Sequence, residues 1–174
     1  MAQNSTFSPY NQDVIDMVTV AVQLCMLLEN TAKHTKEELI NQLVRLLPML
    51  YLKTMMLFEK EQDIEGYLQT FVTEDDYNYV ADGVAEILGN DNTYLEVFMA
   101  DMQYSDTPIA STISENLADI YQELKDLAGN FQTGDEDVMR DAVYATTNSF
   151  YNDWGQKLLN ALRALHCIYT SPVE

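Results

Sequence analysis

The sequence predicts an all-α fold: a single-domain helical bundle of about six or seven helices, kinked at Pro48. Three observations lead there. Apolar residues recur at steps of three and four along most of the chain, and the stretch with the clearest period, Tyr104–Phe131, shows no alternation by two. Glycine and proline are scarce, 6 and 4 among 174 residues, which suits long helices with few tight turns. The hydrophobic fraction of 47% is that of a globular chain, and this length supports one domain burying roughly two thirds of its unfolded surface.

Residues 1–10 read as a flexible lead-in and 11–174 as the domain. A first helix is expected from about Gln12 to Asn30. Val14, Val18, Ala21, Cys25 and Leu28 make one face, and Val20, Leu24 and Leu27 carry the apolar surface nearly all round, so a place in the middle of the bundle is expected. Thr35 and Glu38 match a capping box that opens the second helix, with Leu39, Leu43, Leu46, Leu50 and Leu57 on one side. Pro48 lies inside it and removes one backbone hydrogen bond. Arg45, Lys53 and Lys60 share its remaining face as a basic stripe, expected to pair with acids or face solvent.

Residues 59–72 read as a short helix or a connection, with a break at Gly66. Thr73 with Asp76 opens a third helix carrying Tyr77, Val80, Val84 and Ile87, closed by Gly89. A short helix is expected over Tyr94 to Met102. The clearest period belongs to Tyr104–Phe131. Asp106 and Thr107 offer caps, Pro108 suits a first turn, and Ile109, Ile113, Leu117, Ile120, Leu124, Leu127 and Phe131 fall in a stripe roughly 80° wide. Gly129 and Asn130 are expected to loosen its end, with Gly134 a second stop. Asp135, Glu136 and Asp137 open a last helix that runs to about Tyr169, with Met139, Val143, Phe150, Trp154, Ala161, Leu165 and Ile168 facing inward.

The chain carries 28 acids against 9 bases, a net charge of −19. That opposes direct binding to nucleic acid or an anionic membrane, and it favours a basic protein partner. Cys25 and Cys167 lie far apart on apolar segments without metal-type spacing. Both are expected to be buried thiols in a reducing cytoplasm, rather than a disulfide. The first residues lack the basic start and apolar run of a signal peptide. No window reaches the roughly 20 clean apolar residues of a membrane span.

Two segments, YSDTPIASTISENLADIYQELKDL and YNDWGQKLLNALRALH, resemble a bacterial family catalogued as domain of unknown function 5063. YNQDVIDMVTVAVQLC and, more weakly, LLPMLYLKT around Pro48 also fit it. The resemblance implies a small helical cytoplasmic protein. It implies no activity, and no site residue carries over from it.

Chemistry is sparsely written. His34 and His166 lack the acid three residues earlier that helical di-iron sites need, and no zinc set, phosphate loop or nucleophile elbow is present. No cofactor is expected. The enzyme alternative is a magnesium-dependent helical nucleotide pyrophosphohydrolase, with Glu123-x-x-Asp126 facing Asp13-x-x-Asp16. Its motif is weak, because acid pairs at this spacing occur on any acidic helix. Lys157 is the position that breaks a local rule, since it falls on the inward stripe of Phe150, Trp154 and Ala161. Its stem is expected at the stripe's edge with the ammonium in solvent; for an ion pair instead, Asp119, Glu123, Asp16, Asp101 and Asp106 are the candidate partners. If it lines a ligand pocket, Tyr104, Asp106, Asp119, Trp154 and Lys157 are the residues expected there. The leading reading is a non-enzymatic, protein-binding module with an acidic surface; a small-molecule binder with an interhelical cavity is a third possibility. Oligomeric state is not legible.

Overall fold

Five of the long helices begin where a side chain can take up their free amides. Asn11 accepts from the Asp13 amide at 3.0 Å and starts α1 (Gln12–Glu29). Thr35 and Glu38 form the expected reciprocal box at the start of α2 (Lys36–Met55), as do Thr73 and Asp76 for α3 (Glu74–Leu88). Thr112 caps α4 (Ile113–Phe131), and Asp135 caps α5 (Glu136–Ser149), which runs through a π-helical turn, Phe150–Trp154, into α6 (Gly155–Thr170). Short 3-10 turns follow α1 at Thr31–Lys33 and α3 at Gly89–Asn92. The computed structural model describes residues 8–57, 66–96 and 109–171.

The helices pack as an all-α bundle around α4, which touches α1, α3, α5 and α6, while α2 packs against α1 and α6. The predicted stripe is its core face: Ile113, Leu117, Ile120, Leu124 and Leu127 are buried. So is a second line, Ser114, Ala118 and Tyr121, because α4 has neighbours on several sides. The centre therefore belongs to α4 and not to α1. One line of α1, Ile15, Val22 and Met26, faces solvent, while Met17 is fully buried. Pro48 sits on the exposed side of α2, and the helix continues on both sides of it.

Two expected helical stretches are partly strand. Thr93–Glu96 (β1) pairs antiparallel with Ile109–Thr112 (β2), in the register Thr93 with Thr112 through Glu96 with Ile109. Ile109 thus belongs to a strand and is 38% exposed, and α4 starts four residues later than its period suggested. The physical reason is long-range pairing: four-residue segments rich in Thr, Tyr and Ile gain a partner that no local pattern reveals. Pro108, Phe98, Met99 and Met102 lie outside the described residues.

The single last helix is also corrected. The π turn adds a residue at Phe150–Trp154 and lets Phe150, Trp154 and Leu158 all reach the core. Gly155 is what the turn requires: its N–H donates to the Phe150 carbonyl, and a Cβ there would lie 2.5 Å from that oxygen. Gly89, at φ 57°, closes α3 in a backbone setting that suits glycine. Both cysteines are free, but only Cys25 is buried; Cys167 is exposed on α6.

Candidate functional site

Lys157, on the first turn of α6, gathers a polar cluster between four elements. Its ammonium lies 2.8 Å from Asp119 of α4 and 2.7 Å from Asp153 of the π turn. The Tyr77 hydroxyl of α3 donates to the other Asp119 oxygen at 2.8 Å. Glu123 follows Asp119 by one helical turn, half-buried between the same elements. Amphipathic α3 and α4 place Tyr77 and Asp119 at the edge of their buried faces, and the π turn swings Asp153 round to meet Lys157 one turn later.

Burial alone would lower the Lys157 pKa, but the Asp119 and Asp153 carboxylates outweigh it and leave the ammonium above its ordinary value. Burial, then donation to Asp119, pushes the Tyr77 phenol upward. Both groups stay protonated near neutrality. A charged lysine held by two carboxylates, beside a neutral phenol, is a clamp tying α3, α4 and α6 together. It is not a general base or nucleophile poised near neutral pH.

Of the five candidate ligand residues, the structure brings Asp119 and Lys157 together. Trp154 is a near neighbour in sequence but turns inward: it is fully buried, and its Nε1 donates to the Thr146 carbonyl at 3.0 Å. Tyr104 and Asp106 lie outside the described residues. Asp153 and Tyr77 were missed in the sequence. Asp153 could have been found as the i,i+4 partner of Lys157; Tyr77 looked like one more apolar residue.

The four candidate metal ligands do not converge. Asp16 pairs with Lys53 at 2.7 Å and accepts from Gln12. Asp126 accepts from the Phe71 and Val72 amides at 2.6 and 3.2 Å. Asp13 sits in the first turn of α1, and Glu123 belongs to the Lys157 cluster. Among the described residues, no three His, Cys, Asp or Glu side chains are grouped to hold a metal ion. The basic stripe of α2 divides as expected for the residues described: Lys53 pairs with Asp16, Arg45 is exposed, and Lys60 lies outside them. No helix among the described residues is long and apolar enough to cross a membrane.

The family model for domain of unknown function 5063 matches residues 8–171. The chain belongs to that family. This DUF5063 chain is similar in sequence and shape to protein BF1032 from Bacteroides fragilis, known from a crystal structure. It is 36% identical, with 95% of this chain and 97% of that one covered, at a TM-score of 0.84. No functionally curated protein matches the chain.

In this DUF5063 member, Glu123 gives a pH-dependent test of the cluster. Burial raises its carboxyl pKa above the usual glutamate value, with the Asp153 and Asp126 charges adding and Ser149 and Lys157 opposing. Stability linked to a raised folded pKa is fully present below the unfolded value and is lost as pH rises through the folded one. Glu123→Gln removes that loss. Urea midpoints should be higher for E123Q than for the parent near pH 7, and equal near pH 4. Equal midpoints at both values would mean the carboxylate carries no penalty.

Proposed function

We propose that the chain is a bacterial, cytoplasmic, non-enzymatic module, one domain over residues 11–174, that binds a basic protein partner through the outer face of α3. The observation that carries this reading is the stripe of Asp75, Tyr79, Asp82 and Glu86. These residues recur at helical spacing, all are exposed, and the three acids make no salt bridge among the described residues. Tyr79 is 59% exposed at the centre of the stripe. There is no lysine or arginine anywhere in α3.

The charge balance supports the reading. Lys36, Lys53, Lys125, Arg140 and Lys157 are all engaged by the chain's own acids, so much of the acidic excess stays available to a partner. An aromatic ring among carboxylates offers a flat apolar surface for lysine or arginine stems while the acids meet their charged ends. The partner class is thus a basic helix or segment. The two free thiols suit a reducing compartment, and the Bacteroides relative supports a bacterial source.

The test is fluorescence anisotropy with a labelled synthetic Lys/Leu amphipathic helix, and a Glu/Leu helix as the control. Binding should weaken with added salt. The triple variant Asp75→Lys, Asp82→Lys, Glu86→Lys should bind about tenfold more weakly, as expected for loss of three exposed charge pairs. Equal binding by parent and variant would rule out this face.

A further inference from the structure

Away from the Lys157 cluster, a cleft of about 310 Å³ opens between α6 and the segment formed by the 3-10 turn after α3 and β1. Its walls include Asn90, Tyr94, Asn160, Arg163, Cys167 and Ile168. The volume lies at the small end of small-molecule sites. Tyr94 and Ile168 supply apolar surface, while the two asparagines and Arg163 supply polar ends.

The electrostatics of this cleft differ from those of the molecule as a whole. Asp91, in its wall, and Glu96, which holds the wall residue Asn160, are already engaged. Asp91 pairs with Lys36. One Glu96 oxygen accepts from Asn160 at 2.9 Å and the other from Ser111 at 2.6 Å. Arg163 is exposed and makes no hydrogen bond or ion pair among the described residues. In a chain of net charge −19, a guanidinium with its fork uncommitted on a concave wall is the one feature of the cleft that calls for a ligand of opposite sign.

We infer that this cleft binds a small monocarboxylate with an apolar body, the carboxylate on the Arg163 guanidinium and the body between Tyr94 and Ile168. A planar carboxylate matches the guanidinium fork with two parallel hydrogen bonds. A phosphate would bring about twice the charge into the field of an acidic protein and would leave the apolar walls unused.

Cys167 makes the inference testable, because its exposed thiol stands one helical turn from Arg163 on the same wall. Cys25 is buried, which pushes its thiol up to about 12, so it stays silent toward a neutral alkylating agent. The experiment follows iodoacetamide modification of Cys167 by mass spectrometry while hexanoate is titrated at constant ionic strength. Hexanoate should slow the reaction saturably. Arg163→Gln should weaken that protection by about tenfold or more, the effect of losing a charge-assisted hydrogen-bond pair, with Arg163→Lys in between. Amide shifts of Asn90 and Tyr94 in the unaltered protein should saturate over the same hexanoate range, a readout that needs no variant. The inference is overturned if hexanoate gives no protection, if hexan-1-ol or inorganic phosphate protects equally well, or if Arg163→Gln protects undiminished.

Discussion

Trp154→Ala is expected to destabilise the protein by about 3–5 kcal/mol, as truncation of a fully buried aromatic does. The indole is wholly enclosed. Its ring packs edge-on against Phe150 with centroids 4.6 Å apart, and its Nε1 donates to the Thr146 carbonyl across the π turn at 3.0 Å. Truncation removes all of this at once and leaves a cavity, because α4 and α2 cannot collapse onto the gap while their own faces stay packed. Trp154→Phe should cost less, since the phenyl ring retains most of the fill and loses only the hydrogen bond and part of the volume. Chemical denaturation followed by circular dichroism measures both. The chain has 1 tryptophan, so native fluorescence reports on Trp154 alone and should show a blue-shifted, solvent-shielded emission. A loss below about 1 kcal/mol for the alanine variant would mean that the side chain is not in the core.

What local pattern can reveal, and what it cannot, is visible at three places. The buried lines of α1, α2 and α4 follow from periods of three and four, and the boxes Thr35–Glu38 and Thr73–Asp76 formed as read, since both signals lie within one helical turn. The β1–β2 pair was hidden. Thr93–Glu96 and Ile109–Thr112 are too short to show alternation, and their partner stands well away along the chain, so apolar spacing alone extended the helix of α4 backward through Ile109. The true cap, Thr112 with Glu115, carries the same box pattern, but Pro108 drew the start upstream. The π turn was hidden for another reason. One added residue shifts the wheel without breaking the run of apolar residues, so the stripe through Phe150 and Trp154 looked continuous. The same geometry explains the site. A lysine on an inward stripe has to reach solvent or meet an acid; spacing favoured solvent, and the fold instead supplies Asp119 from the facing helix. That Trp154 turns away from Lys157 depends on the extra residue, which spacing does not show.

Asn130→Ala should cost about 2–4 kcal/mol, because it strips the partners from two backbone groups at once. The sequence predicts that Gly129 and Asn130 loosen the end of α4. The helix instead runs through both to Phe131, and Asn130 is buried. Its side chain works as a splint for the segment that enters α3. Oδ1 accepts from the Gln69 amide at 2.9 Å, and Nδ2 donates to the Gln69 carbonyl at 2.8 Å and to the Asp126 carbonyl at 2.8 Å. Asp126, one turn earlier, holds the Phe71 and Val72 amides. Gly129 lets the Phe71 ring lie flat on the helix, where a Cβ would stand 2.4 Å from a ring carbon. An extended segment has no ladder of its own to satisfy its backbone, so these three residues stand in for the missing strand. An alanine at 130 leaves the Gln69 N–H and C=O facing a helix that offers nothing in return. A leucine there would fill more space yet still leave both groups unpaired, so Asn130→Leu should be no more stable than Asn130→Ala. Amide exchange separates this mechanism from general loosening: the Gln69, Phe71 and Val72 amides should lose protection ahead of the α4 core, whereas uniform loss across the chain would refute the splint. Asp126→Asn, which keeps an acceptor oxygen but loses its charge, should fall between the parent and Asn130→Ala, since neutral acceptors hold backbone amides about half as strongly as ionised ones.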